Sequence, residues 1–246
     1  MDAPTRFPEI DITRGIAILM MVIFHTVFDI SFFSIAPVNV ATGFWRYFAM
    51  TTASLFLFIV GVSLVVSRAR SAGKLKGLAL TKKFLYRGGG IFALGLLVTL
   101  ATWWYLHEGF VIFGILHLIG VSVILSPLFF RFGKYNILLG LVCITIGLFI
   151  GTFQGPIWLL PFGIYPPSFT SVDYTPLFPW LGVVLIGLGA GEFLYAGGTR
   201  RFSIPPVPNL INAPFSFLGR HSLIIYLVHQ PIIILLLGAV TGTKVL

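Results

Sequence analysis

Two ionisable side chains, His25 and Asp29, lie four residues apart inside the apolar run that begins at Ile16. On a helix this spacing places them on one face, within reach of each other. A carboxylate beside an imidazole fixes the ring's tautomer and raises its basicity, leaving the other nitrogen to take a proton from a nucleophile. Ionisable groups at membrane depth are costly, and they commonly mark functional sites. The competing reading is a buried His–Asp contact that only ties helices together. Arg14 stands at the entry to the same run, eleven residues before His25, which is about 16 Å of helix. Asp11 or Thr13 could cap this helix. Arg14 itself reads either as an anchor at the membrane surface or as a ligand contact, with Gly15 allowing close approach to the backbone.

A second polar set lies near the end of the chain: Gly219-Arg220-His221-Ser222, then Tyr226, then His229-Gln230-Pro231. His221, Ile225 and His229 form an i, i+4, i+8 row that would put two imidazoles on one helix face. Pro231 frees a backbone carbonyl, as irregular membrane helices do where they line a cavity. Arg87 precedes Gly88, Gly89 and Gly90, a combination that suits a phosphate at a helix start. His117 follows Phe113-Gly114-Ile115-Leu116 and reads either as a reacting group or as a hydrogen bond to a neighbouring helix. Although His25, His117, His221 and His229 could converge in space, no metal-ligand spacing is present and no metal is expected. A serine hydrolase is disfavoured because no G-x-S-x-G elbow occurs.

The elements that must position these residues are membrane helices. A hydrophobic content of 57%, a charged content of 9% and a mean hydropathy of +1.01 exclude a soluble globular domain. Several stretches reach the ~20 apolar residues that cross a ~30 Å hydrocarbon core. They are continuously apolar, so they are helices and not barrel strands. The expected fold is an all-α polytopic membrane protein, a single domain over residues 1–246 with a bundle of about seven transmembrane helices. The segments run approximately 13–35, 44–67, 84–104, 110–130, 135–153, 176–196 and 215–240. The first is too long for a cleaved leader and is read as retained. No internal repeat is visible, which disfavours an inverted-repeat transporter.

The net charge of +9 is a matter of topology and gives no ground for nucleic-acid binding. Arg6 and Arg14, the seven basic residues Arg68, Arg70, Lys74, Lys76, Lys82, Lys83 and Arg87, then Arg131, Lys134, Arg200, Arg201 and Arg220 fall on one side, and Arg46 and Lys244 on the other. Fourteen against two places the N-terminus in the cytoplasm and the C-terminus outside. The external side receives His107 and Glu108, and a long connection near 152–175 rich in Pro, Gly and aromatics. That connection reads either as a lid or as an aromatic belt at the interface. Cys143, the single cysteine, can form no disulfide within the chain.

Four stretches carry a family resemblance: Glu9 to His25, Phe56-Leu-Phe-Ile-Val-Gly-Val-Ser63, Asp173 to Gly182, and Gly219 to Pro231. Together they resemble the DUF1624 family. That family is related to the catalytic domain of heparan-alpha-glucosaminide N-acetyltransferase and belongs to the broader transmembrane acyltransferase superfamily. The resemblance implies a membrane enzyme that takes an acetyl group from cytoplasmic acetyl-CoA and delivers it to an acceptor, often across the bilayer. Arg14 and His25 also fit the R-x10-H pattern of the acyltransferase-3 relatives, in which that His is taken as catalytic.

On this reading His25 and Asp29 are catalytic, and Arg14, Arg87 and Arg220 hold the phosphates of acetyl-CoA as guanidinium groups do well. His117, Tyr226 and His229 are the candidate contacts to the substrate or the oxyanion. The acceptor is a hydroxyl or amine of a carbohydrate or lipid-linked molecule, and direct transfer and an acetyl-enzyme route are both open. The alternative is a proton-coupled transporter using the buried His and Asp groups as a relay. The expected location is a prokaryotic cell membrane, in contact with its lipid, and helix faces rich in small residues permit a homodimer. The charge distribution gives the first test. Alkaline phosphatase fused after Glu108 should be active at the cell surface and fused after Lys74 inactive; the reverse pattern would invert the topology.

Overall fold

A computed structural model describes residues 6–242 and contains eight α-helices among them: α1 (Pro8–Phe32), α2 (Gly43–Ala72), α3 (Leu78–Leu106), α4 (Ile115–Phe129), α5 (Asn136–Ile150), α6 (Leu177–Leu194), α7 (Asn209–Arg220) and α8 (Ser222–Thr241). Lys244 lies outside the described residues. Six helical stretches are long and apolar enough to cross a membrane, and the protein is an all-α polytopic membrane protein. The expected segments 110–130 and 135–153 fall within one such stretch, Ile115–Ile150, in which a 3-10 turn at Phe130–Tyr135 departs from helical geometry at Gly133 (φ 52, ψ −128). The expected segment 215–240 instead divides in two. Helix α7 ends at Arg220, and His221 (φ −100, ψ 12) separates it from α8, its Nδ1–H donating to the Phe217 carbonyl oxygen at 2.9 Å. Arg220 and His221 support this break, because their side chains donate to the Ser216 and Phe217 carbonyls that the helix end leaves open.

The chain forms two compact units, one from the residues up to Phe56 and from Ile204 onward, the other from Leu57–Ser203. In the first, α1 starts at Pro8, where a proline is preorganised for the first turn and lacks only an N–H that would be unpaired anyway. The early start moves Asp11 and Thr13 inside the helix, so neither is its cap. The Thr13 hydroxyl donates to the Glu9 carbonyl at 2.7 Å, and Asp11 pairs with Arg14 at 3.0 Å. Helix α7 lies against α1 with almost no space between backbones. A Cβ at Gly15 would stand 2.0 Å from the Phe215 carbonyl oxygen, and one at Gly219 would stand 1.9 Å from that of Asp11. These pairings make α7 antiparallel to α1. Helix α8 then returns alongside α1 in the same direction, bringing His229 to His25 and Gln230 to Asp29.

The second unit repeats the device. Gly88 meets the backbone of Gly120 between α3 and α4, Gly140 meets that of Gly182 between α5 and α6, and Gly61 and Gly187 interlock α2 with α6. Phe84, Leu118 and Leu188 fill its interior, whereas Leu97, Leu100, Trp104, Leu148 and Phe149 face outward. An apolar exterior is what a bilayer solvent asks for. The connection after α5 is only partly open. A 3-10 turn at Ile157–Phe162 buries Leu160, whose carbonyl accepts from the Tyr174 hydroxyl at 2.7 Å, while Phe153 and Trp158 stay exposed. Burial, then repulsion from Tyr165, pushes the Tyr174 phenol up to about 12, so it remains a donor at any physiological pH.

The glycine contacts make a direct prediction. Gly219→Leu should destabilise the protein by about 1–3 kcal/mol, the usual range for overpacking, read as a lower unfolding midpoint in detergent. Gly73→Ala, whose new Cβ meets nothing within 4 Å, should leave the midpoint unchanged.

Candidate active site

Four of the residues singled out in the sequence come together in the first unit. His25 packs edge-on against His229, with ring centroids 4.9 Å apart and planes at 64°. Phe24 and Phe28 flank His25 on α1, at 5.7 and 6.4 Å. The Nδ1–H of His229 donates to the Tyr226 carbonyl oxygen at 2.6 Å. That bond leaves Nε2 as the unprotonated nitrogen of a neutral His229 ring. Tyr226 also lies ring to ring with His229 at 5.5 Å.

Asp29 is near His25 in sequence but is not its partner. Its side chain is buried, at 2% exposure, and its Oδ1 accepts from Gln230 Nε2 at 2.7 Å. No hydrogen bond joins it to His25 among the described residues. The expected His–Asp pair is thus replaced by an Asp–Gln pair across α1 and α8, beside a His–His contact across the same two helices. The physical reason is proximity: the Gln230 amide on the facing helix brings its N–H to within hydrogen-bond distance of the carboxylate. Three buried polar atoms here have no hydrogen-bond partner among the described residues: His25 Nδ1, Asp29 Oδ2 and Gln230 Oε1. Such atoms cost free energy unless something satisfies them. Gln230 was visible beside His229 in the sequence, but only the packing of α8 on α1 shows that it holds Asp29.

Arg14 and Arg220 lie at the other end of this unit. Arg14 Nη1 donates to Asp11 at 3.0 Å and reaches the Gly219 carbonyl at 3.4 Å. Arg220 is exposed, and its Nε donates to the Ser216 carbonyl at 3.1 Å. The expected row of His221, Ile225 and His229 does not form. His221 is exposed in the break before α8, while His229 is buried.

His117 and Arg87 belong to the second unit. His117, 2% exposed, stacks on Phe113, meets Phe92 edge-on and rests against Gly95. Its Nδ1 accepts from the Gly114 backbone N–H at 3.2 Å and its Nε2 faces the Thr99 hydroxyl at 3.5 Å. The Ile115 N–H goes to Asp173 Oδ2 at 3.1 Å. His117 and Asp173 therefore satisfy the open N–H groups at the start of α4. Arg87 is exposed on α3 and donates to Ser67 Oγ at 3.3 Å. Among the described residues, no group of three or more His, Cys, Asp or Glu is placed to hold a metal ion.

The Asp29–Gln230 contact is testable by a double-mutant cycle. Gln230→Leu strands a buried carboxylate, which should cost about 1–3 kcal/mol. Asp29→Leu/Gln230→Leu should cost less than the sum of the two single changes by about 1 kcal/mol in detergent unfolding. Strict additivity would remove the interaction.

Comparison with characterised proteins and with solved structures returns no match. The model of one family matches residues 6–231, a range that holds the whole of α1, the His25–His229 contact and Gln230. By that match over most of its length, the chain belongs to the heparan-alpha-glucosaminide N-acetyltransferase catalytic family, a family of membrane acetyltransferases.

Proposed function

We propose that the protein transfers an acetyl group from cytoplasmic acetyl-CoA to a hydroxyl or amine of a carbohydrate or lipid-linked acceptor, with His25 as general base. One observation carries the reading: a pair of imidazoles and a held carboxylate occupy one level of the first unit, about 16 Å along α1 from Arg14. The arrangement separates an anion-binding end from a proton-accepting centre.

The reaction balances without a further reagent. His25 takes the proton from the acceptor O–H or N–H through Nδ1, a buried nitrogen without a hydrogen-bond partner among the described residues. The freed electron pair attacks the thioester carbonyl, the C–S bond breaks, and the departing thiolate receives that proton to give CoA. With its Nδ1–H given to the Tyr226 carbonyl, a neutral His229 offers a lone pair and no proton at Nε2. The donor to the oxyanion is therefore assigned to the Tyr226 hydroxyl, and His229 supports the ring of His25. Asp29, fixed by Gln230, stabilises positive charge on His25 through space. Arg14 and Arg220 are the candidate contacts for the CoA phosphates in this unit. His117, with its ring committed to the start of α4, is assigned a structural role.

The decisive experiment follows radiolabel from acetyl-CoA in purified protein. His25→Ala should lower transfer about 10²–10⁴-fold, the usual worth of a general base, with CoA still bound. Arg14→Ala should raise KM for acetyl-CoA and leave kcat nearly unchanged. Absence of CoA binding, or an unaffected His25→Ala protein, overturns the assignment. Proton flux in liposomes without acetyl transfer would support the transporter alternative.

A further inference from the structure

The second unit contains a basic cluster around Arg87 that the steps assigned above leave without a role. On α2, Ser67 and Ser71 are one turn apart, as Lys83 and Arg87 are on α3. The two pairs face each other. Lys83 Nζ donates to Ser71 Oγ and reaches Ser67 Oγ at 3.4 Å. Arg87 Nη1 donates to the same Ser67 Oγ at 3.3 Å. The Ser71 hydroxyl gives its own proton to the Ser67 carbonyl at 2.8 Å, so its oxygen acts toward Lys83 as an acceptor. Two cations thus converge on neutral hydroxyls.

The charge is not balanced locally. Among the described residues no carboxylate lies within ion-pair distance of Lys83 or Arg87. The contrast within the same unit is direct: Arg68, also on α2, pairs with Glu192 at 2.8 Å and donates to the Phe130 carbonyl at 3.1 Å. Lys74, Lys76 and Lys82 add further positive charge in the adjoining turn and first helical turn. A guanidinium with a planar fork, an ammonium with rotating donors and two hydroxyls are together suited to a group with several oxygens and more than one negative charge.

We propose that Ser67, Ser71, Lys83 and Arg87 form a binding site for a phosphomonoester group. Its dianion would match the two cations, its oxygens would take the N–H donors that now rest on the serines, and the serine hydroxyls would turn to donate. The phosphate has two sources: the headgroup of an anionic lipid, or the 3′-phosphate of CoA. The lipid source is independent of the acetyl-CoA reading, and the CoA source rests on it.

Two binding comparisons on the purified full chain separate the sources. Native mass spectrometry would compare dioleoyl phosphatidic acid with dioleoyl phosphatidylcholine, and calorimetry would compare CoA with dephospho-CoA. Wild-type protein should prefer the phosphomonoester form in at least one comparison by about tenfold, equal to about 1.4 kcal/mol. Lys83→Gln/Arg87→Gln should erase that preference, and Lys83→Arg/Arg87→Lys should keep most of it. Ser67→Ala/Ser71→Ala, which removes no charge, should weaken it and guards against a Gln variant that does not fold. Loss in the lipid comparison alone assigns the site to a lipid headgroup, and loss in the CoA comparison alone assigns it to the donor. A preference that survives the Gln variant, or no preference in either comparison, overturns the site. CoA bound equally by wild type and variant, with no phosphatidic acid preference, would sink this site and leave the acetyl-CoA reading standing. A site-dependent lipid preference without any CoA binding would do the opposite.

Discussion

The protein depends on backbone-to-backbone contact between helices. In lipid there is little hydrophobic reward for bringing two apolar helices together, so association comes from close packing and from polar groups that find partners. The chain achieves the first by leaving out side chains. Gly15 and Gly219 let α1 and α7 touch through their carbonyls, and Gly88 with Gly120, or Gly140 with Gly182, do the same in the second unit. Any side chain at these points forces a backbone apart. The outward faces meanwhile carry large apolar residues such as Trp104 and Phe149, which a bilayer accepts.

That constraint positions the chemistry. Because α7 is locked antiparallel on α1, the chain must turn at His221 and send α8 back along α1. The return path is what places His229 on His25 and Gln230 on Asp29. The turn removes His221 from the face it was expected to share with His229. A polar pair within the buried contact then adds the second kind of stabilisation. The price is a set of buried polar atoms that the described residues do not satisfy.

In the second unit the same residue types do different work. His117 reads in the sequence like His25, a lone imidazole inside an apolar run. Packing gives it different surroundings, because both of its nitrogens face groups of its own unit, the Gly114 N–H and the Thr99 hydroxyl. Asp173 joins it from a loop about sixty residues away, a distance no spacing argument bridges. The cations of this unit divide in the same manner: Arg68 is tied to Glu192, whereas Lys83 and Arg87 rest on hydroxyls.

The sequence by itself determined that this is an all-α membrane protein, because continuous apolar runs of spanning length have no other stable form in a bilayer. It also determined the family, since the motifs beginning at Glu9, Asp173 and Gly219 are local strings, and it singled out His25 and Asp29, with His117, Tyr226 and His229 as further contacts and Arg14, Arg87 and Arg220 for the donor's phosphates, without saying which of them meet. It did not determine partners. Helical periodicity says which residues share a face of one helix, so His25 with Asp29 was the natural pairing, but it is silent about which helix covers that face. Nor could it separate α7 from α8, because residues 215–240 stay largely apolar across the break and only the polar run 220–222 marks it. Tertiary structure decided both points, for one reason: the choice of partner depends on how closely two backbones can approach, and that is fixed by glycines whose neighbours lie on another helix.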